Sequence, residues 1–391
     1  MNELVRGRAS GSINSSTSRR VVSAKVLSTM ALSETKRMAR AHSAAIHSIS
    51  IDTTEHRYLL SAGTDMSIQL YDLNSFEQTA TCDRQVAPTS QVAAAHPRLI
   101  SCIEWYPVDR GMFTTSSFDH TLRVWDAESM AEACQFSLES RVFGHCMSST
   151  GAHALIAAAD ESAYIRLCDL RTGSSAQSLL AHHSGCMAAA WSPTQPFVLA
   201  SGGIDGTLRL WDIRRADSQV CSFGQLHEAG PGDSQAHGGS VCSVLFTGDG
   251  SRIASMESTG TVCVWDSERP ESPAVECRLG SVAKRSGNTM SGALQMALTT
   301  AATRYAADYE MLFCPSGSSI AAVDIATGKR IASLDSHFAP ALCAAWRPDH
   351  LELYSSGVDG NVLIWCPPAV EELSDEQRNI RRDTWSSDES Q

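Results

Sequence analysis

A set of four residues at fixed spacing recurs along this chain, and that recurrence limits the possible folds more than any other feature. In one copy the residues are His182, Ser201, Asp205 and Trp211, with Asp 23 residues after His, four after Ser and six before Trp. The apolar runs MAAAW, FVLAS and TLRLW are separated by the turn formers SPTQP and GGIDG. This alternation is typical of consecutive antiparallel strands.

Seven units of this kind follow one another. Three further complete sets keep the order of residue types, the last with one residue fewer between His and Asp: His42, Ser61, Asp65 and Tyr71; His96, Thr115, Asp119 and Trp125; His337, Ser355, Asp359 and Trp365. A fifth copy has His237, Ser255 and Trp265, with Thr259 in the Asp position, and two worn copies at 163–170 and 319–325 retain only a third strand and its closing Asp. Repeats of this length with several strands each predict an all-β, seven-bladed propeller.

Charge divides the chain into three pieces. Residues 1–40 hold eight Lys or Arg against two acids, residues 370–391 hold three against seven, and the whole chain has a net charge of −12. We therefore expect a short helical N-terminal arm over 1–38, a propeller over 39–368 and an acidic C-terminal tail over 369–391. The arm is either disordered or orders on a partner. Its residues 18–31 read equally as a helix or as a strand, and the run near Val21–Leu27 could supply the outermost strand of the last blade.

Composition excludes several classes. The 13 cysteines are scattered, without a C-x-x-C pair, so we expect reduced core thiols such as Cys242, Cys263 and Cys343. His182 and its neighbour His183 would point opposite ways on a strand, so no metal site and no cofactor is expected. The acidic balance argues against general binding to nucleic-acid backbone. Neither a membrane span nor a secretory signal is recognisable, which predicts an intracellular protein.

The recurring His, Ser and Asp invite comparison with a hydrolase triad. A catalytic set occurs once, whereas this set recurs in unit after unit, as expected of a device that pins loops. The sequence also lacks the Gly-x-Ser-x-Gly motif of many hydrolases. It lacks the Walker loop and the dinucleotide-binding motif of nucleotide-binding enzymes as well. We therefore expect a protein without enzyme activity. A strongly perturbed His or Asp in a pocket outside the four-residue sets would reopen the alternative.

The repeats resemble the WD-repeat β-propeller family over about residues 39–368. Within it, the segment VLASGGIDGTLRLWDIR (198–214) is similar to the motif of substrate receptors that dock onto the damaged-DNA-binding adaptor of cullin-RING ubiquitin ligases. Arg214 and Arg171 each stand two residues past the Asp that closes a third strand, in neighbouring units. An arginine fork suits bidentate contacts with carboxylates or carbonyls.

Four segments extend the resemblance to a group of these receptors that acts in transcription-coupled nucleotide excision repair: residues 47–73, 104–126, 190–216 and 383–390. The resemblance implies a nuclear receptor, a single copy within a hetero-complex that includes the adaptor, a DNA-translocase repair factor and stalled RNA polymerase II, with no sequence-specific binding of nucleic acid. It assigns six residues to the adaptor contact: Arg214, Arg171, Trp211, Asp212, Arg19 and Arg20. Substrate would then meet the opposite face, where Phe118 and Ile204 are the apolar candidates.

The acidic tail holds Ser386 and Ser387 before two acids, a context suited to phosphorylation, and a lone aromatic residue, Trp385. It either solubilises the chain or anchors a partner. The alternative function is a WD-repeat scaffold of a chromatin or RNA-processing complex that never meets a cullin ligase. The two functions differ at the adaptor contact.

Overall fold

The computed structural model describes residues 26–40, 42–78, 84–216, 218–224, 236–279, 293–299 and 310–368. These residues are nearly all in strands, and seven four-stranded antiparallel sheets are formed. The sheets are the blades of a single propeller, so the predicted all-β, seven-bladed fold is confirmed. Helical structure in the described residues is limited to residues 26–28, α1 (Ser75–Gln78), a 3-10 turn at Pro348–His350 and residue 368.

Two short strands come first in the chain, β1 (Ala31–Leu32) and β2 (Lys36–Met38). The first three blades follow in order: β3 (Ile46–Ile51), β4 (Tyr58–Gly63), β5 (Ile68–Asp72) and β7 (Ser90–Val92) in blade 1; β8 (Ile100–Trp105), β9 (Met112–Ser117), β10 (Thr121–Asp126) and β11 (Glu132–Ser137) in blade 2; β12 (Val142–Met147), β13 (Leu155–Asp160), β14 (Tyr164–Asp169) and β15 (Ser174–Leu180) in blade 3. Between β5 and β7, β6 (Arg84–Val86) pairs in parallel with β2.

The remaining strands are, in order, β16 (Cys186–Trp191), β17 (Val198–Gly203), β18 (Leu208–Asp212) and β19 (Gln219–Ser222) in blade 4; β20 (Val241–Phe246), β21 (Arg252–Glu257), β22 (Thr261–Asp266) and β23 (Val275–Arg278) in blade 5; β24 (Ala297–Leu298), β25 (Met311–Ser316), β26 (Ser319–Asp324) and β27 (Arg330–Asp335) in blade 6; β28 (Ala341–Arg347), β29 (Glu352–Gly357) and β30 (Val362–Cys366) in blade 7. We call the four strands of a blade a to d, in order from its first strand to its outer edge. In this meander the a–b and c–d turns lie on one face of the propeller, which we call the c–d face. The b–c turns and d–a loops lie on the other, the b–c face.

The ring is closed by a strand from the N-terminal end of the chain. β1 pairs with β30, with Ala31 opposite Cys366 and Leu32 opposite Trp365, and so completes blade 7 as its d strand. The sequence offered the run near Val21–Leu27 as a possible closing strand; the structure has it at Ala31–Leu32, and residues 21–25 lie outside the described residues. Residues 26 and 27 are helical, Leu27 is buried against the hydrophobic core of blades 6 and 7, and the strand pairing starts four residues later.

The hydrophobic core lies between adjacent blades. Side chains of facing sheets form one cluster per interface, for example Leu60, Ile103 and Trp125 between blades 1 and 2. Such burial supplies the main stabilisation of the ring, at about 25 cal/mol per Å² of apolar surface. The described residues contain no helix that is long and apolar enough to cross a membrane.

Candidate functional site

The four predicted residues of each complete set come together as a hydrogen-bonded tetrad between the d–a loop and the b–c turn. In blade 4, Nε2 of His182 lies 2.8 Å from the Ser201 hydroxyl, and the Trp211 indole N–H donates to the same hydroxyl at 2.9 Å. Because the indole can only donate, the hydroxyl hydrogen of Ser201 goes to Nε2, which leaves the imidazole proton on Nδ1. That nitrogen lies 3.3 Å from Asp205 and 2.7 Å from the hydroxyl of Thr207.

The other complete tetrads repeat this arrangement. The distances from His Nε2 to the Ser or Thr hydroxyl are 2.7 Å for His42–Ser61, 2.7 Å for His96–Thr115 and 2.8 Å for His337–Ser355. The distances from His Nδ1 to the carboxylate are 2.9 Å for His42–Asp65, 2.8 Å for His96–Asp119 and 2.8 Å for His337–Asp359. Trp125 and Trp365 donate to the hydroxyl at 2.8 and 2.7 Å, and in blade 1 the Tyr71 hydroxyl bonds Ser61.

Blade 5 replaces the missing aspartate from another position. Nδ1 of His237 lies 3.3 Å from the carboxylate of Glu257, at the end of strand b, and Thr259 in the turn donates to that carboxylate. The rest of the tetrad is present, with Ser255 2.7 Å from His237 and accepting from Trp265 at 2.8 Å. A longer carboxylate side chain two residues earlier therefore takes the place of the turn Asp beside His237, at ion-pair distance but without a hydrogen bond to Nδ1.

The tetrads stabilise their carboxylates in the ionised form. Burial by itself raises the pKa of Asp119, but the hydrogen bonds from His96 and Thr121 outweigh burial and lower it to about 2. The same balance lowers the pKa of Asp65, Asp205 and Asp359. Burial lowers the pKa of His182, so its imidazole is neutral at physiological pH.

The geometry explains why these sets are not catalytic triads. The serine hydroxyls of blades 1, 4 and 7 belong to residues that are completely buried, and each already donates one hydrogen bond and accepts another. A nucleophile needs an exposed oxygen within reach of a substrate. The tetrads therefore pin the b–c turn to the d–a loop, and they leave no oxygen to react.

On the c–d face, the Asp that closes strand c folds the turn after it. Its carboxylate accepts a backbone N–H two residues later, as from Arg171 to Asp169 at 2.9 Å and from Arg214 to Asp212 at 3.1 Å. The same bond forms in other blades, where the residue at this place is Asn74, Glu268 or Ala326. The turn thus recurs in blades 1, 3, 4, 5 and 6, and only blades 3 and 4 place an arginine there.

Arg214 is held in one orientation although its side chain is 61% exposed. Its Nε and Nη2 donate to the two oxygens of Asp212 at 2.9 and 2.7 Å, and its guanidinium carbon lies 5.0 Å from the centre of the Phe197 ring. The hydrogen bond from Arg214 lowers the pKa of Asp212. Three N–H groups of the fork stay available to a partner. Trp211, by contrast, is buried in the tetrad.

A cross-blade contact supports Phe197 from behind. His153, in the a–b turn of blade 3, lies 5.5 Å from the Phe197 ring and 4.7 Å from the Trp191 ring, and its Nε2 is 2.5 Å from the carbonyl oxygen of Pro196. The sequence did not single out His153 or Phe197, because neither belongs to the repeat pattern. Together they join the blade that carries Arg171 to the blade that carries Arg214.

Arg171 is exposed, and among the described residues no carboxylate is paired with its guanidinium. The backbone N–H of Leu170 donates to Ala154, which follows His153, at 3.0 Å. Both arginines therefore project from the c–d face beside the same inter-blade contact. Arg19 and Arg20 of the predicted adaptor contact lie outside the described residues, as do Trp385, Ser386 and Ser387 of the tail.

On the b–c face, one of the two residues predicted to be exposed apolar contacts is buried. Phe118 is only 7% exposed, because its ring packs edge-on against Phe143 at 5.6 Å under the guanidinium of Arg141. It is therefore a core residue and offers no apolar contact to a partner. Ile204 is 39% exposed at the b–c turn of blade 4.

The cysteines behave as core residues where the structure describes them. Twelve are free thiols, and burial raises the pKa of Cys242, Cys263 and Cys343 to about 12. In the described part of the chain, no three His, Cys, Asp or Glu residues converge on a place for a metal ion.

Comparison with known proteins gives the repeats a family name. The family described as WD domain, G-beta repeat matches residues 89–126, 173–212, 233–266 and 328–366. WD repeat-containing protein ATCSA-1 of Arabidopsis thaliana is 27% identical and aligns with 98% of this chain and 99% of its own length. Radiation-sensitive protein 28 of Saccharomyces cerevisiae is 24% identical over 49% of this chain and 44% of its own length.

A ribosome biogenesis protein, the WDR12 homolog of Drosophila persimilis, is 25% identical over 59% of this chain and 53% of its own length. The similarity to ATCSA-1 thus runs almost from end to end, whereas the other two similarities cover about half of the chain. Four of the seven units carry the matched repeat, and the blades between them share its architecture. Four units of the chain therefore match the WD repeat, and the chain folds as a seven-bladed β-propeller.

Proposed function

We propose that the chain is a non-catalytic substrate receptor of a cullin-RING ubiquitin ligase, a counterpart of the Cockayne syndrome A protein in transcription-coupled nucleotide excision repair. One observation carries the proposal: in blades 3 and 4, and in no other described blade, the turn after strand c presents an exposed arginine on a folded Asp-x-Arg turn. The end-to-end similarity to ATCSA-1 supports it. WD40 propellers are typically scaffolds, which agrees with the buried tetrads.

The receptor would form and break no bond. The adaptor would dock on the c–d face through Arg171, Arg214 and the N-terminal arm, and substrate or repair factors would bind the b–c face. Holding a substrate beside a charged ubiquitin-conjugating enzyme raises the effective concentration of its lysines, which is enough to accelerate transfer. The site of action would be the nucleus, near a DNA translocase and stalled RNA polymerase II.

The Arg214 site favours a particular adaptor group. Asp212 already neutralises the guanidinium, so the remaining N–H groups are best matched by neutral acceptors such as backbone carbonyls. Arg171 has no such carboxylate among the described residues and suits an adaptor carboxylate. The two arginines would therefore make different contacts from adjacent blades.

A second function is favoured by one finding. The similarity to ribosome biogenesis WDR12 homologs is consistent with a scaffold of an RNA-processing complex that has no ligase partner. The two functions predict opposite results for adaptor binding, so a single binding experiment separates them.

The test is the affinity of the purified chain for the damaged-DNA-binding adaptor, measured by biolayer interferometry. Arg171→Ala/Arg214→Ala should weaken binding at least tenfold with an unchanged melting temperature, because both side chains are exposed. The matched control, Arg278→Ala/Arg330→Ala, removes two exposed arginines from the outer strands of blades 5 and 6 and should bind as wild type does. Equal affinity of all three proteins would refute the receptor function.

A deletion tests the arm separately and should stop at residue 25. Leu27 is 1% exposed and Met30 6%, both packed in the core of blades 6 and 7, so a longer deletion would damage the propeller itself. A chain lacking residues 1–25 should keep its melting temperature and lose adaptor affinity. Full affinity after this deletion would confine the contact to the propeller.

A further inference from the structure

The tetrads display one side chain in a fixed position on the b–c face. The residue after the tetrad His donates its backbone N–H to the tetrad carboxylate, at 3.1 Å from Ser43 to Asp65 and at 3.0 Å from His183 to Asp205. The N–H of Phe338 bonds Asp359 in the same way. The buried network thus fixes the backbone and leaves the side chain to face solvent.

Phe338 is exceptional at this position. Its side chain is 93% exposed, the largest exposure among the large hydrophobic residues that the structure describes. The equivalent residues are small or polar, or a proline: Ser43, Pro97, His183 and Gly238. An aromatic ring held rigidly in water gains nothing for folding, whereas rigid aromatic anchors dominate many protein interfaces.

The next blade shows a second exception at the neighbouring display position, the residue after the tetrad Asp. Gly206 and Gly360 have φ of 77° and 70° there, a left-handed conformation that glycine adopts without cost. Met66 of blade 1 and His120 of blade 2 adopt the same conformation, with φ of 62° and 71°. For a residue with a side chain this costs about 1 kcal/mol, yet Met66 remains 38% exposed.

These positions are neighbours on the ring. The b–c turn of each blade lies against the d–a loop of the next: a Cβ on Gly360 would stand 2.8 Å from the carbonyl oxygen of Ala44, and the Ala95 N–H donates to the carbonyl of Met66 at 3.0 Å. Phe338, Met66 and His120 therefore lie along one arc over blades 7, 1 and 2, which we call the blade 7-1-2 arc.

The arc carries positive charge in an acidic protein. Arg40 and Arg98 are exposed on the d–a loops of blades 1 and 2, and among the described residues no carboxylate pairs with either guanidinium. The tetrad carboxylates of the arc, Asp65, Asp119 and Asp359, are already bonded within their tetrads, and one exposed carboxylate, Asp335 at the end of β27, lies on the same loop as Phe338. An exposed apolar anchor with exposed arginines on the next two d–a loops of the ring is complementary to an acidic segment that holds an apolar residue.

We propose that the blade 7-1-2 arc is a docking surface for an acidic protein segment, which packs a bulky apolar side chain on Phe338, extends past Met66 and sets carboxylates against Arg40 and Arg98. The surface lies on the face opposite Arg171 and Arg214, so it is independent of the adaptor contact. It places the apolar centre of the b–c face in blades 7 and 1. The sequence had instead placed it in blades 2 and 4, at Phe118 and Ile204.

The probe is a phage-displayed library of random 12-residue peptides, selected on the immobilised full chain and counter-selected on Phe338→Ser. Selected peptides should be enriched in Asp and Glu around one bulky apolar residue. Synthesised with a fluorophore, they should bind Phe338→Ser at least tenfold more weakly and Arg40→Ala/Arg98→Ala several-fold more weakly, with affinity falling as salt rises. The matched control, Leu180→Ser, replaces an exposed apolar residue at the end of the outer strand of blade 3 and should bind as wild type does.

Three results would overturn the proposal: no peptide enriched above wells without protein, peptides without excess acidic residues, or equal affinity for wild type and Phe338→Ser. Phe338→Ser should fold normally, since its ring is exposed, and its melting temperature checks this. The same variant should bind the adaptor at full strength, while Arg171→Ala/Arg214→Ala should bind the peptides at full strength. Failure of the arc and failure of adaptor docking are thereby told apart.

Discussion

Two of the arginine–carboxylate pairs on the c–d face differ sharply in burial, one at the joint between blades 7 and 1 and one at the end of blade 4. Arg347 and Glu352 are buried, with side chains 3% and 1% exposed, and Glu352 also pairs with Lys36 and accepts from the Tyr354 hydroxyl at 2.7 Å. Arg214, paired with Asp212, is 61% exposed. The two pairs share their chemistry and differ in burial.

Blade 1 shows how this difference arises. Asn74 occupies the position that Arg214 has in blade 4, and its side-chain oxygen accepts from Arg347 at 2.9 Å. Arg347 donates also to the carbonyl of His56 at 2.6 Å, so its guanidinium ties blade 7 to two turns of blade 1. At the joint between blades 7 and 1, the residue two positions after the closing Asp bonds another blade of the protein. In blades 3 and 4 the side chain at that position is exposed to solvent. The comparison predicts large stability effects at the joint and large binding effects at blade 4.

Glu352→Ala should produce the largest loss of stability. The change leaves Arg347 and Lys36 without their shared carboxylate, and removal of one partner of a buried ion pair costs about 3–5 kcal/mol. Urea unfolding should show it directly. Glu55→Ala, which breaks the exposed pair with Arg110 on the neighbouring turn, is the matched control and should be close to wild type. Similar losses in both variants would show that burial does not separate the two kinds of pair.

Acid should act on the same joint. Burial raises the pKa of Glu352, but the charges of Lys36 and Arg347 outweigh it and lower this pKa to about 2. Since the unfolded-state pKa is near 4.3, the unfolded chain binds the proton first as pH falls, and this contribution to stability is present above about pH 5 and lost toward pH 2. The free energy of unfolding of wild type should therefore fall by about 2 kcal/mol more than that of Glu352→Gln between pH 6 and pH 3. Parallel curves for the two proteins would contradict the lowered pKa.

Asp205→Ala should cost about 1–3 kcal/mol, because His182 and Thr207 lose a buried partner. Thermal unfolding measures the loss. Thr259→Ala in blade 5 is the matched control and should cost less, since Glu257 supplies the carboxylate there. An unchanged melting temperature in Asp205→Ala would mean that the tetrad does not stabilise the blade.

Phe197→Ala should give the smallest effect, and on binding only. It removes the ring under the Arg214 guanidinium, a contact worth about 0.5–1 kcal/mol at exposed sites, so adaptor affinity should fall two- to five-fold. Val220→Ala, an exposed apolar residue on the outer strand of blade 4, serves as control. A loss as large as that of Arg214→Ala would show that Phe197 itself touches the adaptor.

The spacing of His, Ser, Asp and Trp was enough to predict the blades, because one hydrogen-bonded network imposes it. The spacing did not predict the carboxylate beside His237 in blade 5. Glu257 lies at the end of a strand, two residues before the position that the repeat reserves for Asp. Phe118 was misjudged because its position in a turn does not show that Phe143 covers it. Phe197 and His153 could not be found, since their contact crosses two blades that are separate in sequence.

The pairing of β1 with β30 has a consequence for the order of synthesis. The strand that completes blade 7 leaves the ribosome more than three hundred residues before its partner, and it has no sheet to join until β30 has been made. Contacts so distant in sequence form slowly. Until then the facing edges of the first and last blades are open, so a nascent chain of this protein should depend on chaperones up to its final strand.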